Sequence, residues 1–552
     1  MTTSAWAHYT FILAAAVIPQ LPAAPTISGV ANAASNIGFN APIAQGSIFV
    51  IKGTGLGPDT ISISPTPFKT TNLSGTKVTI TAGTISVDAP LYYTSATQVA
   101  ALMPSTIPVG GANFTVIYND QPSNSVGHGT VASNLGVFTI DSSGQGPGIV
   151  TYPDYSLVSA SKAANCGGPN TACGAANPGD TLILWATGLG PVFGDEVGGA
   201  GLGQAMPAVP LKLWLGGIQV PVVYQGRSGC CVGEDQIAFT VRNDVPTGCA
   251  VPLVIQIGEV TNTISNTTVM PVATGSRNCT PTSPAFPNSE ALVAAPISYG
   301  SLELIKEPNS NGTGYQDRAI FEFEKLPLAS TPIQPFFLSW IDDQPVGTCI
   351  VYGTLDGSSD PPLTGNPVDL NAGSTFTVAG PGGNMQVAGK AGHFSATLSA
   401  AGTFLVPGAH TITGTGGPDV GSFNVSVTFP TAPTLTSPVN NATITRANGM
   451  TVTWTGGAPN SNVRISIFSS LNNTFNLGSS ANCVVPAAPG KFTVPPYVLL
   501  ALPAGNFGGF LLAPQTVTVP FSATGLGLGF LQANHNGTGF GYGAATGGFA
   551  LQ

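Results

Sequence analysis

The sequence predicts an all-β chain built from tandem β-sandwich domains, and three observations carry that expectation. A stretch occurs twice: Gly46-Ser-Ile-Phe-Val-Ile-Lys-Gly-Thr-Gly-Leu-Gly-Pro58 returns as Gly179-Asp-Thr-Leu-Ile-Leu-Trp-Ala-Thr-Gly-Leu-Gly-Pro191. A second match follows in the same order, Gln98-Val-Ala with Pro108-Val-Gly110 against Gln236-Ile-Ala with Pro246-Thr-Gly248. Two ordered matches at nearly equal spacing mark a duplicated domain. Apolar residues also fall in short β-branched runs between turns rich in Gly and Pro (71 and 48 residues), the pattern of many short strands. Finally, only 7% of residues are charged, against roughly 25% in ordinary soluble proteins. Thr, Ser and Asn take the polar faces that Lys and Glu usually occupy.

The elements are expected in the following order. Residues 1–24 form a signal segment, since Phe11-Ile-Leu-Ala-Ala-Ala-Val-Ile18 has the apolar core of one. Residues 25–139 form the first module, with strands at Ile48–Lys52, Lys77–Thr81, Leu91–Tyr93, Val99–Met103 and Asn113–Tyr118. Short strands at regular intervals without an amphipathic helix argue for a sandwich. Residues 140–273 form the duplicate, with strands at Thr181–Trp185, Leu211–Leu215, Val220–Tyr224, Gln236–Val241 and Val251–Ile257. It carries a Cys-containing insertion (165–175) and a Gly-rich one (194–204) that the first copy lacks. A polar linker, 274–290, leads to a β-rich third domain, 291–430, with runs at Ala319–Glu324, Phe336–Ile341, Ser374–Val378 and Gly421–Phe429. The fourth, 431–552, contains Met450–Trp454, Val463–Phe468 and Phe507–Leu512. Its apolar run Val498–Leu502 stops at Pro503, too short to span a bilayer, and no transmembrane anchor is seen.

The repeated turn has a direct physical reading. A strand ends, and Gly55-Leu56-Gly57-Pro58 or Gly188-Leu189-Gly190-Pro191 turns the chain. The glycines permit positive φ and Pro fixes the exit. Leu56 and Leu189 are expected to plug the ends of the two cores. A dinucleotide site is not read from these glycines, because no helix follows them.

At these motifs the sequence resembles a known family. Thr54-Gly-Leu-Gly-Pro58 and Ala186-Thr-Gly-Leu-Gly-Pro191 carry the likeness, with Gly29-Val-Ala-Asn-Ala-Ala-Ser35, Leu91-Tyr-Tyr-Thr-Ser-Ala-Thr-Gln98, Asp235-Gln-Ile-Ala and Val245-Pro-Thr-Gly248. They look like the tandem Ig-like modules, similar to IPT/TIG domains, found near the C-termini of secreted acidobacterial proteins. The resemblance covers about 27–273 and implies a tandem Ig-like fold. It implies no catalytic residues, since that family is functionally uncharacterised.

Composition excludes several function classes. The net charge is −9 with only 15 Lys and Arg, so no basic surface is available for nucleic acid. The eight cysteines, Cys166, Cys173, Cys230, Cys231, Cys249, Cys279, Cys349 and Cys483, lack zinc-ligand spacing. An even count in a low-charge β protein points to disulfides in an oxidising compartment, with buried free thiols as the alternative. Cys166 and Cys173 flank one loop and are expected to close it. Pairing the adjacent Cys230 and Cys231 would be strained, so they are expected to reach Cys249 and Cys279. Cys349 and Cys483 remain as a cross-domain pair or two free thiols.

Chemistry-bearing motifs are sparse. The five histidines are scattered, and no nucleophile elbow, metalloprotease helix or P-loop occurs. Asp342-Asp343 beside Trp340 suggests a glycosidase pair, but neighbours on a strand point to opposite faces, and a turn is the plainer reading. Asp356 and Asp360 are the candidate ligands for a structural Ca²⁺; no other cofactor is expected. Glu234-Asp235, beside Cys230-Cys231, reads as a charged turn. Trp185 and Trp214 lie in strands and read as core. Trp454 and Trp340 are the candidate sugar platforms.

The expected function is a non-catalytic extracellular structural or adhesive protein, such as a subunit of a cell-surface or filamentous assembly. A carbohydrate-binding surface protein is the alternative, and a secreted glycoside-active enzyme a weaker one. The expected partners are the protein itself, as an oligomer or filament, or cell-surface glycans and proteins.

Overall fold

A computed structural model describes residues 24–36, 41–162, 173–194, 196, 198, 202–258, 263–282, 296–309, 314–327, 339–353, 366–390, 392–471, 478–505, 507–540 and 550–552. The first module is a two-sheet sandwich. One sheet runs in the order Thr26–Asn32, Ile48–Thr54, Gln98–Leu102, Leu91–Thr94, Ser62–Ile63. The other runs Ile43–Ala44, Val126–Val131, Gly110–Tyr118, Thr76–Ala82, Ile85–Asp88. Alternation decides which side faces in: along Thr76–Ala82 the side chains are buried at every second position. Phe49 and Phe114 meet edge to face across the core, with centroids 5.2 Å apart. The second module repeats the plan, with Gly136–Val137, Thr181–Thr187, Asp235–Thr240 and Val222–Arg227 in one sheet. The other contains Thr268–Val272, Gly248–Ile257, Leu211–Leu215 and Ile218–Val220. Even the register is duplicated, since Lys52 faces Gln98 in the first copy and Trp185 faces Gln236 in the second.

The last two units do not divide at residue 430. Strand Thr348–Gly353 pairs with Gly478–Pro486, inside the fourth unit. Strand Leu528–His535 pairs in parallel with Ile297–Pro308, inside the third. The two units therefore exchange strands, which local sequence pattern cannot reveal because pairing is set by long-range register. The third unit is one sheet, ordered Phe423–Phe429, Gly408–Gly414, Thr375–Gly380, Gly383–Lys390, His393–Ser399, Tyr315–Leu326, Ile297–Pro308, Leu528–His535, Val517–Pro520. It curls until its ends meet, bringing Phe423 to 4.7 Å from Phe521. Phe321, Phe323, Phe376 and Phe394 fill the inside.

Other expectations are corrected as well. The run expected as strand Phe336–Ile341 contributes a short helical turn, Ser339–Asp342. A turn lets the adjacent Trp340 and Ile341 both bury, against Ala250 and Val269 of the second module, which alternating strand faces would forbid. The start of the expected linker is stitched to the second module: Arg277 pairs with Asp180 at 2.7 Å, and Cys279 is bonded to Cys249. Cys230 and Cys231 are bonded to each other rather than to that pair, because the segment carrying Cys279 lies against the strand that carries Cys249. Cys349 and Cys483 face each other in one ladder and are joined. Cys173 is disulfide-bonded; its expected partner Cys166 lies outside the described residues.

Candidate functional site

The repeated turns sit at the ends of their cores. Leu56 and Leu189 are fully buried, each in its own module's core. Gly55 has φ +65° and Gly188 φ +105°; a Cβ on Gly188 would lie 2.2 Å from the Asn134 carbonyl oxygen. Gly57 is buried, Pro58 is partly buried and Pro191 is exposed. The second turn does more than cap a core. The Leu189 N–H donates to Asp235 at 2.8 Å, and Arg227 donates to the Gly190 carbonyl at 2.7 Å. Arg227 and Asp235 form an ion pair with almost no exposure. Burial pushes the Asp235 carboxyl up to about 6, against the pull of Arg227 and of the backbone N–H groups.

This turn is also the joint between modules. The Ile48 N–H donates to Thr187 Oγ1 at 2.7 Å, and that hydroxyl donates to the Gly233 carbonyl at 2.6 Å. Asn32 Nδ2 reaches the carbonyls of Asn134 and Thr187, each at 3.3 Å. Glu196, from the Gly-rich insertion, accepts the Ser105 N–H at 3.1 Å and also its hydroxyl. The Tyr92 hydroxyl donates to the Val232 carbonyl. Polar groups so buried hold geometry, because each would be costly to leave unpaired.

Beside the joint, the outer sheet faces of the two modules enclose a cleft of about 990 Å³. Small side chains make its floor on the first module, Ala33, Val50 and Ala100. The opposite wall carries Trp185, whose Nε1 donates to Thr151 Oγ1 at 3.0 Å. Tyr155 stands beside it, with centroids 6.0 Å apart and planes inclined at 40°. Tyr155 is 65% exposed. It sits in a turn where Asp154 accepts the N–H and hydroxyl of Ser156 at 3.0 and 2.6 Å, which holds that carboxyl below its ordinary value. Gln98 and Gln236, the matched residues of the duplication, line the cleft from opposite modules. The Cys230–Cys231 disulfide lies on its rim in a loop knotted by Ser228, whose hydroxyl accepts both cysteine N–H groups at 3.3 Å. That hydroxyl also donates to Glu234 at 2.9 Å. Burial raises the Glu234 carboxyl above its usual range.

The structure places the sequence-derived candidates elsewhere. Trp454 is 4% exposed, and its indole N–H donates to the Ala487 carbonyl at 3.0 Å. Trp340 is 5% exposed and packs on the second module. Both are core side chains, so neither offers a ring face to a sugar. Asp356 and Asp360 lie outside the described residues. Trp185, read from the sequence as core, faces the cleft. Trp214 stacks on Tyr497 of the fourth unit at 4.8 Å. The signal for the cleft was available in the duplication: Trp185 occupies the position of Lys52 in the other copy, a position the repeat keeps on the outer face. On the third unit, His393 lies 3.3 Å from Glu324 and 3.2 Å from Asp369, a surface charge cluster across three strands.

No family model matches the chain, and no curated protein matches it. Among solved structures it is similar to the titin Ig tandem domains A164-A165, at 7% identity over 46% of this chain and 98% of that one, with a TM-score of 0.13. It is similar to Sidekick-1 immunoglobulin domains 1-4, at 9% identity over 95% and 99%, TM-score 0.12. It is also similar to domains 5-6 of the S-layer protein SbsC, at 11% identity over 45% and 99%, TM-score 0.15. The protein is all-β, with tandem Ig-like β-sandwich domains in a multi-domain chain. At these TM-scores the likeness carries no argument of its own, and the fold assignment rests on the strand content and the paired sheets of each module.

Proposed function

We propose that the chain is a non-catalytic, extracellular structural or adhesive protein in which the duplicated modules act as one stiff scaffold. The joint is the observation that carries this reading. Thr187 is fully buried between Ile48 and Gly233, and Glu196 reaches across from an insertion that only the second module has. A joint built from buried hydrogen bonds resists swivelling in a way that a short flexible tether does not. Disulfides support an oxidising, extracellular setting. No helix among the described residues is long and apolar enough to cross a membrane. Membership in the secreted acidobacterial Ig-like modules is part of this proposal, carried by the Gly-Leu-Gly-Pro turns.

Self-association has a candidate surface. Strands Ser62–Ile63 and Ile85–Asp88 are sheet edges of the first module, and Ile61, Ile63 and Ile85 are 59%, 66% and 41% exposed. Apart from Asp88, which accepts the Thr79 hydroxyl at 2.7 Å, these edge strands carry no charge, and an edge with exposed apolar side chains is a template for strand addition. The test is negative-stain electron microscopy with light scattering of the full protein, beside small-angle scattering of Thr187→Val. Filaments or regular oligomers support an assembly subunit, and single particles of one fixed outline support an adhesive spacer. Particles whose first two modules swivel freely, before any substitution, would sink the scaffold reading.

A further inference from the structure

We propose that the cleft between the duplicated modules binds a neutral oligosaccharide, with a pyranose ring seated against Trp185 and Tyr155 and its hydroxyls on Gln98 and Gln236. This goes beyond the scaffold reading and holds whether or not the protein assembles.

The duplication supplies the argument. In both copies one outer-face position lies opposite a glutamine in the neighbouring strand: Lys52 opposite Gln98, and Trp185 opposite Gln236. The fold needs no aromatic there, since the first copy manages with lysine. In the second copy the position holds tryptophan, and its indole N–H is tied to Thr151, which fixes the ring's orientation. Tyr155 beside it keeps 65% of its surface exposed. Two inclined, largely unstacked aromatic faces at the mouth of a cavity suit the C–H face of a sugar ring. The disulfide on the rim adds a compact apolar surface, exposed at Cys230 and buried at Cys231.

The polar groups select the ligand. The Gln236 side-chain amide has no hydrogen-bond partner among the described residues, and the Gln98 amide gives one donor to the Tyr93 hydroxyl at 2.6 Å. Amides approaching from both walls can each donate to and accept from a sugar hydroxyl. Among the described residues, Glu234 is the one carboxylate lining the cleft and no Lys or Arg lines it, so an acidic sugar would meet no counter-charge. A peptide strand fits poorly. Both walls are sheet faces whose backbone groups are engaged in their own ladders, while strand addition needs a free edge. At about 990 Å³, the cleft stands at the upper end of small-molecule pockets, roughly 300–1,000 Å³, and it opens to solvent, so more than one ring can enter.

The experiment is calorimetric titration of the full, oxidised protein with neutral hexasaccharides of glucose (β-1,4 and α-1,4), mannose and N-acetylglucosamine, and with hexagalacturonate as the acidic probe. Intrinsic tryptophan fluorescence is read in parallel. The expected result is saturable binding of at least one neutral member with a change in fluorescence. Tyr155→Ala and Gln236→Leu, both at positions outside the cores, should each weaken it about tenfold or more without changing the melting temperature. Trp185→Ala should abolish the fluorescence change. Three results would each overturn the proposal: no neutral member binding at millimolar concentration, binding unaltered by Tyr155→Ala and Gln236→Leu, or preferential binding of the acidic probe.

Discussion

Acidification should loosen the third unit through one histidine. His535 ends strand Leu528–His535, directly opposite Lys306 in the parallel ladder, and is 8% exposed. Its Nδ1 accepts the Gly537 N–H at 3.0 Å, which requires that nitrogen to be unprotonated. Burial first, and the nearby Lys306 second, push its pKa from 6.5 down to about 4. In the unfolded chain the imidazole takes up its proton near 6.5. Between the two values the unfolded state therefore holds more protons, and stability falls as pH falls. The contribution is fully present above 6.5 and is lost on the way to 4. At roughly 1.4 kcal/mol per pH unit, the loss by pH 4 is about 3 kcal/mol. Buried carboxyls act in the opposite sense, since burial raises Glu303 and Glu234, so the informative quantity is a difference between proteins. His535→Asn retains an oxygen that can accept the Gly537 N–H and cannot take up a proton. Hydrogen exchange of strands Ile297–Pro308 and Leu528–His535, measured from pH 7 to pH 4 and corrected for intrinsic rates, should show wild-type protection declining more steeply than the variant's. Parallel profiles for the two proteins would refute the reasoning.

Two further outcomes follow from the joint and the ladders. Gly188→Ala must place a Cβ against the Asn134 carbonyl at positive φ, and should cost about 3 kcal/mol or more. Gly83→Ala, where φ is +61° but nothing lies within 4 Å, should cost only about 1 kcal/mol; equal denaturation midpoints for the two variants would contradict this account. Replacing Cys349 and Cys483 together by Ser releases a closure of 134 residues, for which chain entropy predicts a loss of up to about 5 kcal/mol. Urea unfolding followed by the fluorescence of Trp454, which sits in that core, should report it, and an unchanged midpoint would show that the ladder alone holds the strand.

The fold of the first half was legible because duplication repeats its own evidence. Strand patterns around Ile48 and Leu182 recur with the same Gly-Leu-Gly-Pro stop, and alternation assigns inner and outer faces without a partner being known. The second half was less legible for a physical reason. Thr348–Gly353 and Leu528–His535 read as ordinary strands, and nothing local says that each belongs to the sheet of the other unit. The cleft was partly written in the chain. Gln98 and Gln236 were visible as a repeat, but their convergence depends on how two modules dock. Trp185 lies in a strand and reads as core because tryptophans usually are, although its partner position, Lys52, marks an outward face. Trp454 misled in the opposite direction, since the following Thr-Gly-Gly suggested an exposed turn while the indole itself fills the fourth core. Geometric cost argues against a bond between the adjacent Cys230 and Cys231, and their loop, knotted by Ser228, is a local arrangement that spacing alone does not announce.

The exchanged strands bear on the order in which the protein can be made. A ribosome delivers Ile297–Pro308 more than two hundred residues before Leu528–His535, the strand that lies beside it. Throughout that interval the nascent third unit has its hairpin partner Tyr315–Leu326 on one side and an unfilled row of backbone donors and acceptors on the other. Domains that fold as they emerge are finished one at a time, whereas these two can close only together, after Leu528–His535 has been delivered. Such a pair would gain from a holding factor during synthesis, and a truncation that removes residues 528–535 would leave the third unit's sheet open although its own segment, as read from the sequence, is intact.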